Sequence, residues 1–162
     1  MWKIAATGHR PNKLYGYNLY DIQWIRLAQK MKNFLLDRLQ TYSELECITG
    51  MALGVDQLFG LVALKLRNEG KKIKIFAALP CRGQEKMWKS KEHWEKLMEN
   101  VDEIYYVHDG EYTNRCMQER NIFMVNRADE ILAVWDGTPG GTANCIKYAE
   151  LKKKPIINIF EN

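Results

Sequence analysis

The sequence predicts an α/β fold: a three-layer sandwich with a mostly parallel sheet of about six strands, covered by helices on both faces. Three observations carry this. Short apolar runs alternate with stretches of helical periodicity along the whole chain. The runs are continuous rather than alternating, as expected of strands buried on both faces. Glycine-bearing polar turns follow several strands, where open α/β sheets place their ligands.

In chain order, Ile4-Ala5-Ala6 forms the core of a first strand. Residues 19–40 carry Leu19, Ile22, Ile25, Ala28, Met31, Leu35 and Leu39 at spacings of three and four, the stripe of an amphipathic helix. Cys47-Ile48-Thr49 is the second strand, and Val55 to Leu66 a second helix through Leu58, Phe59 and Val62. Ile73 to Leu79 is a third strand, ended by Pro80. Residues 84–99 read as a charged helix, Glu103 to Val107 as a strand and 115–127 as a helix. Ile131 to Trp135 is the fifth strand and 142–153 the last helix; Lys154-Pro155 leads into a final strand, Ile156 to Phe160.

The chain has 162 residues, 27% of them charged and 46% hydrophobic, which suits one domain over 1–162 and argues against a disordered chain. No apolar run reaches the roughly 18–20 residues of a membrane span, and the first apolar stretch is too short for a signal-peptide core. Cys47, Cys81, Cys116 and Cys145 are scattered, so they read as reduced thiols of a cytoplasmic protein. With His9, His93 and His108 they make no metal-ligand spacing. The net charge of +4 is mild; residues 65–96 hold ten Lys/Arg against four Glu, a basic stretch that suits a solvated helix face or a nucleic-acid contact.

The turns after the strands carry the candidate site. Thr7-Gly8-His9-Arg10 supplies a sharp turn, a hydroxyl, an imidazole and a guanidinium fork for phosphate or carboxylate. Thr49-Gly50-Met51-Ala52-Leu53-Gly54-Val55-Asp56 runs from strand to helix with two glycines, a candidate phosphate cradle; Asp56 either steadies the helix dipole or grips a ribose hydroxyl or base. Met117, Arg120, Asn121 and Met124 share one face of an otherwise apolar helix, so the Arg-Asn pair needs partners, either a ligand phosphate or an internal carboxylate. Asp136-Gly137-Thr138-Pro139-Gly140-Gly141-Thr142 opens the last helix as a second anion cradle.

Taken together, these stretches resemble the SLOG superfamily, the Rossmann-like group containing the DNA-processing protein DprA and the cytokinin-activating LOG enzymes, and in particular its YpsA-like branch. Gly83-Gln84-Glu85-Lys86-Met87-Trp88 and Met124-Val125-Asn126 belong to the same resemblance, which runs nearly end to end. It implies binding of a nucleotide or nucleotide-derived molecule (ADP-ribose-like, NAD-derived or a signalling nucleotide) at the carboxyl ends of the strands, as a sensor or sequestering protein. The ligand-binding residues on this view are Thr7, Gly8, His9, Arg10, Gly50, Met51, Gly54, Val55, Asp56, Arg120, Asn121, Asp136, Gly137, Gly140, Gly141 and Thr142, with no metal and no required cofactor. One alternative is a LOG-like hydrolase of nucleotide N-glycosidic bonds. The loop Pro139-Gly140-Gly141-Thr142-Ala143-Asn144-Cys145 has no glutamate where LOG enzymes carry one, which leaves Arg120, Asp56 and Glu119 as candidate catalytic residues. A DprA-like nucleic-acid binder is the second alternative. The apolar helix at 115–127 also suggests a homodimer or higher oligomer.

Overall fold

The computed structural model describes residues 1–161. Six strands form one sheet: β1 (Trp2–Gly8), β2 (Leu45–Thr49), β3 (Ile73–Leu79), β4 (Glu103–Tyr106), β5 (Glu130–Val134) and β6 (Ile156–Asn158). Five helices connect them: α1 (Ile22–Thr41), α2 (Val55–Asn68), α3 (Glu92–Asn100), α4 (Cys116–Arg127) and α5 (Gly141–Leu151). Every strand pair is parallel, so the sheet is wholly rather than mostly parallel.

Successive strand residues face opposite layers, and the side chains sort accordingly. Ile4, Ala6, Cys47, Ile75, Leu79 and Leu132 point into a core under α1, α2 and α3 with Trp24, Met31, Phe59 and Leu97. Ala5, Ile48, Phe76, Ala78 and Ile131 point into a second core under α4 and α5 with Met124, Val125, Cys145 and Ala149. Continuous apolar runs were needed because both faces of the sheet are covered.

Strand order is β4-β3-β2-β1-β5-β6. The chain builds outward from β1 to β4, then crosses to the other side of β1 to lay down β5. Strand order therefore reverses between β1 and β5, whose carboxyl ends lie side by side with Gly8 opposite Val134. Loops leaving two such strands diverge to opposite faces and open a crevice between them.

Several element boundaries depart from the sequence reading by a residue or more, and three of the departures have a local cause. The segment expected as a helix over 84–99 is a series of turns until Glu92. Gly83 adopts a left-handed conformation there (φ 78°), and Gln84 Nε2 is drawn off to the Gly50 carbonyl at 3.1 Å. The first helix starts at Ile22 because Asn18 folds the preceding chain into a turn, its Oδ1 accepting from the Tyr20 amide at 3.0 Å. The last strand stops at Asn158, whose side chain bonds both backbone groups of Trp135 at 3.1 and 2.9 Å. No helix among the described residues is long and apolar enough to cross a membrane.

Candidate functional site

A cleft of about 270 Å³ lies at the switch point, between the loops after β1 and β5 and under the first half of α4. The floor is polar. Arg120 is 3% exposed, placed there by the α4 stripe of Cys116, Arg120 and Met124 that turns inward. Its Nε donates to Asn121 Oδ1 at 2.9 Å, and Nη1 donates to the Gly50 carbonyl. The same Nη1 stands 3.9 Å from Asp56 Oδ2, a loose ion pair.

Asp56, in the first turn of α2, is 7% exposed. Its Oδ2 accepts from the Ala52 amide at 3.3 Å. Burial pushes the Asp56 carboxyl up; the charge of Arg120 and the Ala52 amide pull it back. Burial likewise pulls the Arg120 guanidinium down against the attraction of Asp56, although an arginine still carries its charge at neutral pH.

Two more cations line the cleft. Arg10 is exposed, and its only side-chain bond among the described residues is a 3.9 Å contact from Nη2 to Met117 Sδ. Lys13, on a short 3-10 turn (Pro11–Lys13), stands so close to Gly140 that a Cβ there would lie 3.2 Å from its Nζ. Neither makes an ion pair among the described residues. The charged side chains lining the cleft are therefore three cations and one carboxylate.

The N-terminus of α5 completes the wall. Gly140 caps it at φ 142° with no side-chain cap, and the first backbone bond of the helix runs from Asn144 N to Gly140 O. The amides of Gly141, Thr142 and Ala143 thus lack helical partners and carry the positive end of the dipole. Thr142 lines the cleft and is 9% exposed.

His9 ties the two loops together. The Thr138 hydroxyl and amide, then His9, hold the Asp136 carboxyl well below the usual range. Asp136 is therefore an acceptor, and His9 Nε2 donates to its Oδ1 at 2.7 Å. Thr138 donates to the same oxygen from its hydroxyl at 2.6 Å and its amide at 3.0 Å.

Of the residues expected to bind ligand, the structure brings Thr7, Gly8, His9, Arg10, Asp56, Arg120, Asn121, Gly140, Gly141 and Thr142 to the cleft. It does not bring Gly50, Met51, Gly54, Val55, Asp136 or Gly137 there. Of the first expected cradle, Ala52 and Asp56 reach the cleft, while its two glycines pack against the chain itself. A Cβ at Gly54 would lie 3.0 Å from the His9 carbonyl and from Pro11, and a Cβ at Gly50 2.7 Å from Asp56 Oδ2. Met51 is fully buried in the left-handed region (φ 65°), its amide held by Thr49 Oγ1 and its carbonyl by Gln57. Glu119 is exposed on α4 and lies outside the cleft. Asn12 and Lys13 line it without having been singled out, and Ala6, Ala52 and Met117 join them from stretches that were. Met117 shared the face of Arg120 in sequence; Lys13 carried no signal beyond its closeness to the Gly8 turn.

The profile of the YspA SLOG family (YpsA) matches residues 4–158. The chain belongs to this family. It is 32% identical over 139 residues to the SPbeta prophage-derived protein YoqJ of Bacillus subtilis (strain 168), covering 78% of this chain and 81% of that one. It is 27% identical over 162 residues to a UPF0398 protein of Bacillus thuringiensis (strain Al Hakam), covering 96% and 85%. Among solved structures it resembles DNA processing protein A (DprA) of Streptococcus pneumoniae with a TM-score of 0.68 at 16% identity, over 99% of this chain and 51% of that one. DprA of Helicobacter pylori gives a TM-score of 0.63 at 19% identity, over 96% and 63%. The chain thus spans between half and two thirds of these DprA proteins. At such identities the likeness shows the shared Rossmann-like fold.

Proposed function

We propose that this member of the YspA SLOG family binds a nucleotide or nucleotide-derived small molecule in the switch-point cleft. The observation that carries this is the charge of the cleft: Arg10, Lys13 and Arg120 face a single carboxylate beside the uncapped start of α5. A buried arginine and a bare helix N-terminus together attract a phosphate. The size of the cleft, near the lower end of ligand pockets (about 300 Å³), suits part of a nucleotide held while the remainder stays at the surface.

ADP-ribose, NAD and a cyclic nucleotide, each added to the purified protein in a thermal-shift experiment, provide the test. A ligand at a hundred times its Kd stabilises by about 2.7 kcal/mol, which raises the Tm of a chain this long by about 5–10 °C. The shift should be lost in Arg10→Ala, whose side chain is exposed and dispensable for folding. No shift across a broad nucleotide panel overturns the reading.

A nucleic-acid reading has its own support. The H. pylori DprA is described by its single-stranded DNA binding mode. In this chain the turns at 81–91 expose Arg82, Lys86 and Lys89 around Met87, which is 93% exposed. Retention of single-stranded DNA that weakens steeply with salt, without any nucleotide shift, would transfer the assignment to nucleic acid. A hydrolase reading has Asp56 as the one lining carboxylate among the described residues; free base released from AMP would convert binding into turnover.

On the same reading the protein acts in the cytoplasm, with its four cysteines as free, buried thiols, and as a homo-oligomer. Support for self-association comes from β4, where Ile104 and Tyr105 are exposed beside the half-buried Phe123 of α4, on which Tyr105 stacks at 4.7 Å. Light scattering should give a dimer mass or larger, and a monomer mass removes the idea.

A further inference from the structure

We infer that the outer edge of β4 docks a second copy of the chain: two β4 strands pair antiparallel about a two-fold axis through Ile104 and join the two sheets into one. This deepens the self-association proposed above and rests on it. The sheet ends in β4 on one side and β6 on the other, and each edge leaves a row of backbone N–H and C=O groups without a strand partner. The two edges are defended differently. β6 is three residues long and is entered through Lys152, Lys153, Lys154 and Pro155, residue types that discourage strand addition. The stretch from Asp102 to Val107 has no lysine and no proline. Its Ile104 and Tyr105 are 41% and 45% exposed. The charge within the strand, Glu103, is drawn to Arg127 of α4 at 3.8 Å. An unguarded edge bearing apolar side chains is a template for another strand.

Charge order and side-chain parity point to a second copy as the occupant. Two copies of one strand related by a two-fold axis normal to the sheet run antiparallel and keep the same face up. Residues directly opposite share a face, so the axis passes through a residue and not between two. Glu103 and Tyr105 face α4, where they meet Arg127 and Phe123. Asp102 and Tyr106 face the other layer: Asp102 Oδ2 accepts from Arg67 of α2 at 2.8 Å, and Tyr106 packs on the core under α1, α2 and α3. Ile104 shares their face by alternation. Centring on Ile104 sets Asp102 of each copy opposite Tyr106 of the other. The guanidinium of Arg82 lies on that tyrosine, 4.1 Å from the ring centre. Arg82 is exposed, and its ion pair among the described residues is a loose 3.6 Å contact with Asp109. Asp102 is part-exposed, and its bonds to Arg67 and the Ile75 amide both use Oδ2, which leaves Oδ1 for a new donor. Each end of the paired strands thus joins an acid to a cation, and Ile104 meets Ile104 in the middle. Centring on Tyr105 would oppose Glu103 to Val107 and leave both charges unmatched.

Light scattering and oxidative cross-linking of the full chain test this. The wild-type chain should have a dimer mass. Ile104→Lys, an exposed change that sets two ammonium groups together on the axis, should give a monomer at concentrations where the wild type is dimeric. Arg82→Glu puts like charges at both ends and should raise the dimer dissociation constant by about tenfold or more. With oxidised glutathione as the oxidant, Ile104→Cys should form a disulfide between copies, because directly opposite residues hold their Cα atoms about 4.5–5.5 Å apart, within bridging range. Ile157→Cys, about as exposed on the β6 edge, should stay uncross-linked, and the four native cysteines are buried. A dimer unmoved by Ile104→Lys overturns the inference and leaves self-association standing. So does cross-linking through Ile157→Cys as ready as that through Ile104→Cys. A monomer mass for the wild-type chain overturns both.

Discussion

Arg120→Met is expected to lower the stability of the protein by about 3 kcal/mol near neutral pH, a drop in Tm of roughly 6–12 °C for a chain of this size. Methionine keeps the length and the apolar stem and removes the guanidinium. Three contacts disappear with it: the bond to the Gly50 carbonyl, the bond to Asn121 Oδ1 and the ion pair with Asp56. The carbonyl keeps its second donor, Gln84 Nε2. Asn121 is half-buried and can turn to water. The principal cost therefore falls on Asp56, left buried without its cation, and breaking such a pair from one side costs about 3–5 kcal/mol. The lower end applies because the pair is loose at 3.9 Å.

The cost depends on pH, with a definite sign. Burial already pushes the Asp56 carboxyl up in the wild-type protein, and loss of the Arg120 charge pushes it further. A carboxyl whose folded pKa lies above its unfolded value contributes stability fully present below the unfolded pKa, about 3.9, and lost as pH rises through the folded one. The variant protonates Asp56 to a higher pH than the wild type does. Its deficit should thus be small near pH 4 and grow toward pH 7, at no more than about 1.4 kcal/mol per pH unit. Urea melts of both proteins at pH 4, 5.5 and 7 measure this. A pH-independent deficit would place the cost in the lost hydrogen bonds, and an unchanged midpoint would remove Arg120 from the list of structural groups. The same substitution should abolish the nucleotide-dependent thermal shift, since it takes away the one buried cation of the cleft.

The fold was legible because it needed only period and composition. Continuous apolar runs mark strands covered on both faces, and three-four spacing marks the helices that cover them. The all-parallel order follows once each strand is separated by a helix. The charged segment at 84–99 misled because Lys, Glu and Gln favour helix wherever nothing opposes them; Gly83 at φ 78° and the pull of Gly50 on Gln84 oppose them here. Arg120 and Asn121 stood out because a polar pair in an apolar helix requires partners, and the partners found are internal on one side and the cleft on the other. Lys13 was not legible, since nothing local distinguishes a lysine at a cleft wall from one in water. Gly50 and Gly54 read as a phosphate cradle because a glycine pair between strand and helix marks a close approach, but a sequence does not say what approaches. At Gly50 and Gly54 it is this chain's own Arg120, Asp56, His9 and Pro11.

Gly8 sharpens that distinction and yields the second large expected effect. It lines the cleft, and it also lies under the first residue of α2. A Cβ at Gly8 would stand 2.6, 2.7 and 2.8 Å from Val55 Cγ2, Cγ1 and Cβ, well inside contact distance. Val55 is fully buried and β-branched, so it has no free rotation to give way. Gly8→Ala should therefore force α2 and β1 apart and cost about 2–3 kcal/mol, the upper part of the range for overpacking. Val55→Ala alone should cost about 2 kcal/mol through lost burial. In the double variant the new methyl occupies the space the valine vacates, so the loss should stay near that of one substitution, a coupling of about 2 kcal/mol. Denaturant midpoints of the four proteins measure the coupling. Additive losses would mean that the two side chains do not meet. If Gly8→Ala left stability unchanged and removed only nucleotide binding, the glycine would be kept for the ligand and not for the helix. The packing at Val55 predicts the reverse order: stability falls first, and binding falls with it because α2 carries Asp56 into the cleft.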